Sequence, residues 1–78
     1  MKAYVLLTVR VGTSPAIQDA IRSWGPEAGI IDCDAVAGTH DVVAVVDAAD
    51  PKAIGDIVMT RIQSLDGVLS TSTLLAIG

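Results

Sequence analysis

Apolar and polar positions along this chain switch between a period of two and a period near 3.6, and each switch marks an element boundary. Ala3, Val5, Leu7, Val9 and Val11 recur at every second residue, as in a strand with one buried face. The positions between them, Tyr4, Leu6, Thr8 and Arg10, are half apolar. Gly12-Thr13 breaks the alternation. Ser14 followed by Pro15 then has the form of an N-cap with proline at the first helical position. Ile17, Ala20, Ile21 and Trp24 follow at helical spacing as one apolar stripe, which Gly25-Pro26 ends. Two β-rich runs come next, Ile30 to Ala37 and Val42 to Ala48, joined by Gly38-Thr39-His40-Asp41. That arrangement predicts a β-hairpin. Asp50-Pro51 repeats the cap-plus-proline device and opens a second helix, with Ile54, Ile57, Val58, Ile62 and Leu65 as its buried stripe. Asp66-Gly67 turns the chain into a last strand from Val68 to Ile77. There Leu69, Thr71, Thr73, Leu75 and Ile77 share one face, and Val68, Ser70, Ser72, Leu74 and Ala76 the other.

The resulting order is βαββαβ, an α+β ferredoxin-like fold in one domain spanning 1–78, with both helices on one face of an antiparallel sheet. Right-handed crossovers give the strand order 4-1-3-2. Composition agrees: strands one and three are the most apolar on both faces, as central strands should be. Strands two and four carry Asp32, Asp34, Ser70 and Ser72, which discourage further edge pairing. Helices cover only one face of such a sheet, so Leu6, Val43 and Val45 stay on the other. An uncovered aliphatic face predicts association. We therefore expect a homodimer, two sheets packed face to face as a dimeric α+β barrel or sandwich, with closed rings of dimers such as an octamer as the natural extension.

The chain has 78 residues, and 51% are hydrophobic, yet Trp24 and Tyr4 are its only aromatic side chains. Its core must be aliphatic, and so small a domain without disulfides commonly gains stability by oligomerising. Cys33 is the single cysteine, which excludes an internal disulfide or a cysteine-based zinc site; its place in an alternating strand suggests packing. The net charge is −4 with five Lys and Arg scattered along the chain, against direct nucleic-acid binding. No apolar run is long enough to cross a membrane, and Met1-Lys2-Ala3-Tyr4 leads into a strand without a signal-peptide pattern. The expected localisation is cytoplasmic.

Candidate chemistry gathers at the hairpin tip. Gly38 admits positive φ and lets another molecule approach the backbone. Asp41 sets one carboxylate beside that opening, suited to an ammonium group. His40 is the only histidine and has no Cys or second His at ligand spacing, so neither a metal nor a cofactor is expected. Asp32 and Asp34 share a strand face but read as solvated edge acids. Gly12-Thr13-Ser14-Pro15 lacks a phosphate-loop lysine and reads as helix capping.

The chain resembles the effector-binding (RAM) domain of the Lrp/AsnC transcription regulators from about Ala3 to Ile77. The residues that carry the resemblance are Ala3-Tyr4-Val5, Ile30 eight positions before Gly38, and Val-Ala-Gly-Thr-His-Asp at 36–41. They end with Leu65-Asp66-Gly67-Val68, followed by Thr71 and Thr73. Asp66 stands where the family usually has proline, His40 where it commonly has tyrosine, and Ala28-Gly29 replaces the typical helix-to-strand join. No helix-turn-helix precedes the domain, so the chain looks like a stand-alone form. The resemblance implies a non-enzymatic, amino-acid-sensing oligomerisation module that acts alone or co-assembles with full-length Lrp/AsnC-type regulators. It implies a ligand site at Gly38, Thr39, His40, Asp41, Thr71 and Thr73. Backbone N–H groups of the tip and the two threonine hydroxyls would take the amino acid's carboxylate, and Asp41 its ammonium. Two other readings share the element order. One is an ACT-like regulatory domain, with its ligand at the loop Gly12 to Ser14. The other is a small dimeric α+β barrel enzyme, which needs more polar groups facing the helices than this pattern offers.

Overall fold

The computed structural model describes residues 1–78. Four antiparallel strands, β1 (Lys2–Val9), β2 (Ile30–Ala35), β3 (Val42–Asp47) and β4 (Val68–Leu75), lie in the order β2-β3-β1-β4. Read from the other edge this is 4-1-3-2, the expected ferredoxin-like arrangement. Helix α1 (Ser14–Trp24) and helix α2 (Pro51–Ile57) supply the second layer. A short 3-10 turn, Pro26–Ala28, joins α1 to β2.

The alternation in the sequence becomes burial. Ala3, Val5, Leu7 and Val9 of β1 and Val42, Ala44 and Val46 of β3 are buried beneath Ile17 and Ile21 of α1 and Ile54 of α2. Cys33 and Ile30 extend this core into β2. On the opposite face Tyr4 pairs with Val45 and Leu6 with Val43, and none of these four is buried. The uncovered aliphatic face is therefore real, flanked by Asp32 and Asp34 on one side and by Ser70, Ser72 and Leu74 on the other.

The outer edge of β2 is closed by the chain's own side chains. Ala35 N–H donates to Gln18 Oε1 at 2.7 Å, and Arg22 Nε donates to Cys33 O at 2.6 Å. Cys33 N–H donates to Asp32 Oδ1 at 2.9 Å, while Arg22 pairs with Asp34 at 2.9 Å. Backbone groups so occupied cannot template another strand.

Several local expectations need correction. Thr13, not Ser14, occupies the cap of α1, and it makes no side-chain cap bond, so Pro15 falls in the second helical position. The reason is competition: the Thr13 hydroxyl donates to Arg10 O at 2.6 Å and closes the preceding turn instead. Strand β1 stops at Val9, after a register shift at Thr8/Val9, which leaves Val11 99% exposed rather than on the buried face. Strand β4 stops at Leu75, and Ile77 is fully exposed. The hairpin loop runs over 36–41 and is closed by Val36 N–H donating to Asp41 O at 2.9 Å, so it is wider than the four-residue turn expected. The second apolar stripe is not one helix: α2 passes into a π turn, Val58–Ile62, which buries Val58 and Ile62. Asp50 does cap α2, its Oδ1 accepting from Ala53 N–H at 2.8 Å.

Candidate functional site

The hairpin tip is tied to the end of β1. Asp41 N–H donates to Leu7 O at 2.9 Å, and Asp41 Oδ2 accepts from Val9 N–H at 2.8 Å. A carboxylate in this position replaces the strand partner that β1 loses where β3 begins. One oxygen of Asp41 has this structural duty, and Oδ1 is left for another donor. His40 Nδ1 and the Thr39 hydroxyl lie 3.1 Å apart in a local contact, with Thr39 exposed and His40 partly buried. Gly38 has φ +149° and nothing within 4 Å of a Cβ built on it, so the backbone at the tip is open to approach.

Thr71 and Thr73 stand on the helix-facing side of β4, opposite Leu7 and Val5. The helical layer does not reach over them. A cavity of about 430 Å³ opens there, between β4 on one side and α2 with its π turn on the other. Ile54, Val58, Met59 and Leu75 give it apolar walls, and Gln63, Thr71 and Thr73 give it hydroxyl and amide groups. Gln63 Nε2 donates to Thr71 Oγ1 at 2.9 Å. The tip residues Gly38 to Asp41 do not line this cavity. Asp41 and Thr71 both flank Leu7, from opposite sides of β1, so two strand spacings of about 4.8 Å put their backbones roughly 10 Å apart. The six candidate residues thus fall into two clusters on opposite sides of β1, with Thr71 level with the Asp41 end and Thr73 level with Val5 at the middle of the strand.

The other sites weighed in the sequence resolve into structural roles. Asp32 caps its own neighbour and Asp34 pairs with Arg22, so they do not act as a carboxylate pair. Burial pushes the Cys33 thiol up to about 11, with Asp34 and Asp32 adding to the shift and Arg22 opposing it. A second cavity, formed where the two chain ends meet, is lined by Met1, Lys2, Tyr4, Ala76, Ile77 and Gly78. The Lys2 ammonium sits 5.1 Å from the Tyr4 ring centroid, and its pKa is raised, chiefly by its neighbour Tyr4. Neither cavity is lined by the loop Gly12 to Ser14.

A sequence profile described as the Lrp/AsnC ligand binding domain matches residues 2–78. The chain belongs to this family. Solved structures agree with the assignment. TTHA0845 from Thermus thermophilus is 35% identical, with a TM-score of 0.87 over 99% of this chain and 92% of that one. AsnC of E. coli shares the fold at 15% identity and a TM-score of 0.87, covering 99% of this chain and 50% of that one. NMB0573, a transcriptional regulator from Neisseria meningitidis solved in complex with L-Met, shares it at 18% identity and a TM-score of 0.81. The match to it covers 99% of this chain and 49% of that one, so the domain spans about half the length of both regulators. A search of curated proteins returned no match. The Lrp/AsnC domain is accordingly a regulatory effector-binding module by family.

Sequence reasoning overlooked part of the cavity in this Lrp/AsnC domain. Gln63, Met59 and Gly55 lie on the α2 side of it, and no periodicity singles them out. The π turn that brings Gln63 to Thr71 leaves no mark in the apolar pattern.

Proposed function

We propose that this Lrp/AsnC domain is a non-enzymatic, amino-acid-sensing oligomerisation module. The observation that carries the reading is the position of the two polar clusters: Asp41 and Thr71 stand level with Leu7 on either side of β1, and Thr73 stands one step further along β4, level with Val5. An amino acid carries its ammonium and carboxylate on a single carbon, so it cannot bridge a gap of roughly 10 Å between strands. Asp41 of one copy and Thr71 and Thr73 of another are the natural pair of hands. Asp41 Oδ1 receives the ammonium, while the threonine hydroxyls and the backbone N–H groups around Gly38, Thr39 and His40 receive the carboxylate. A ligand held only where copies meet stabilises the assembly by mass action. The L-Met complex of the NMB0573 regulator supports an amino acid as the ligand class.

The bare sheet face supplies the first contact between copies. Tyr4, Leu6, Val43, Val45 and Leu74 form a largely apolar surface that water disfavours, and a second copy covers it with the same residues by two-fold symmetry. The resulting dimer is the unit from which rings such as an octamer are built. It is equally the unit through which full-length relatives with DNA-binding domains are joined and modulated.

Two measurements test this together: solution mass by light scattering, and calorimetric titration with the free amino acids. Wild type is expected as a dimer or larger, with at least one amino acid binding at or below millimolar concentration. Leu6→Glu, on the open face, is expected as a folded monomer that no longer binds it. A wild-type monomer at high concentration, or no amino acid bound, refutes the proposal.

A further inference from the structure

The two edges of the sheet are finished differently. At β2, the chain's own Gln18, Arg22 and Asp32 take the outward backbone groups of Ala35 and Cys33. At β4 nothing does. Ala76 N–H donates to Lys2 O at 2.9 Å, and bonding alternates along an antiparallel ladder, so Leu74, Ser72 and Ser70 also turn their backbone groups toward β1. Leu69, Thr71, Thr73 and Leu75 turn theirs outward, and no side chain or loop of the chain takes those groups. The strand Val68–Leu75 contains no proline and no charge, and Leu69 and Leu75 are 67% and 41% exposed. Ser70 and Ser72 do not discourage pairing here as the sequence led us to expect. An uncharged hydroxyl repels no incoming strand, and that of Ser70 is bonded to Thr8.

We infer that β4 pairs antiparallel with β4 of a second copy across a two-fold axis at Ser72, joining the dimers that the sheet face makes. The edge itself selects this partner and this register. With Ser72 opposite Ser72, the outward residues meet like with like: Thr71 against Thr73 and Leu69 against Leu75, all on the helix-facing side. Sliding the strands by two residues sets Leu69 against Thr73, or Leu75 against Thr71, and loses the match. The closed edge of β2 is not a competing partner. The pairing makes roughly eight backbone hydrogen bonds and leaves the Thr71 and Thr73 hydroxyls on the side of the cavity. One strand edge covers less than the roughly 1,200 Å² of a stable interface, so it acts between existing dimers and not between single copies. Two different two-fold contacts on one subunit then build assemblies larger than a dimer. The inference rests on the proposed sheet-face dimer and is independent of amino-acid binding.

The test combines light scattering of wild type and Leu69→Lys with oxidative cross-linking of Ser72→Cys and Ser70→Cys. Wild type, whose only thiol is the buried Cys33, is the blank. Wild type is expected at twice the dimer mass or more. Leu69→Lys, changed at an exposed edge position, is expected at the dimer mass with an unaltered circular dichroism spectrum. Ser72→Cys is expected to form a covalent pair, because opposed residues there stand about 4.5 Å apart at Cα. In Ser70→Cys the two positions are offset by four residues, roughly 14 Å, and no pair should form. Adding Leu69→Lys to Ser72→Cys should abolish the cross-link, since Leu69 lies on the side of the sheet away from the bare face. Wild type no larger than a dimer, or Leu69→Lys of wild-type mass, overturns the edge pairing and leaves the sheet-face dimer standing. A wild-type monomer overturns both. A cross-link in Ser70→Cys but not in Ser72→Cys overturns the register, and one in Ser72→Cys that survives Leu69→Lys overturns the edge contact and belongs to the sheet face.

Discussion

Asp41 carries two duties that one pair of substitutions separates. Its Oδ2 accepts the Val9 N–H at 2.8 Å, in a partly buried position where β1 has run past its β3 partner. Asp41→Ala removes that acceptor and leaves the amide unpaired. A hydrogen bond to a charged group contributes about 1.5–3 kcal/mol, and partial exposure at the end of a strand puts this one near the lower figure, about 1.5 kcal/mol. For a domain of this length each kcal/mol moves Tm by about 4–8 °C, so Asp41→Ala should melt roughly 6–12 °C below wild type. Asp41→Asn keeps an amide oxygen for Val9 N–H and should lose about 0.5 kcal/mol at most, since only the charge assistance goes. It should nevertheless fail to bind an amino acid, because a neutral amide no longer compensates the ammonium. Urea unfolding followed by Trp24 fluorescence measures the first effect, and calorimetric titration the second. Asp41→Ala as stable as wild type refutes the structural role. Asp41→Asn with wild-type affinity refutes the ammonium contact, and so the site as drawn.

Two further expectations bear on the scaffold. Gly29 has φ +89°, and a Cβ there would lie 2.8 Å from Asp47 O and 3.1 Å from Ile57 Cδ1, whereas Gly12, at φ +86°, faces open space. Gly12→Ala should cost only the left-handed conformation, about 1 kcal/mol, and Gly29→Ala about 3 kcal/mol with the backbone clash added; equal urea midpoints for the two variants would contradict the packing described. The Cys33 thiol, with its pKa raised from about 9 to about 11 by burial, should resist Ellman's reagent at pH 8 in the native protein. Because the folded state holds this proton more tightly than the unfolded one, the associated stability is full below pH 9 and is lost as pH rises toward 11. The loss is at most about 3 kcal/mol and should vanish from the pH profile of Cys33→Ala.

The strand order was legible because its signals are local or compositional. Alternation in β1, the Asp50-Pro51 start of α2 and the Gly25-Pro26 stop of α1 are each read within a few residues, and the polar residues of β2 and β4 marked them as edges. The cap of α1 falls on Thr13 rather than Ser14 and makes no side-chain bond, because Arg10 O, three residues before it, takes the Thr13 hydroxyl. Val11 and Ile77 continue their strand patterns in sequence but have no neighbours to pair with.

The candidate site divides in the same way. Gly38, Asp41, Thr71 and Thr73 were recognisable as residue types in a spaced pattern, whereas the bond from Asp41 to Val9 and the contact of Gln63 with Thr71 join positions far apart in sequence or on different elements. From residue order alone came the period of each segment, the number of layers and the existence of an uncovered apolar face, since these follow from side-chain spacing and composition. Tertiary structure alone decided that β1 lies between the two polar clusters, that a π turn opens the groove beside β4, and that Asp41 has one carboxylate oxygen to spare. Those outcomes depend on which distant backbone groups find partners, and no local pattern of side chains encodes that choice.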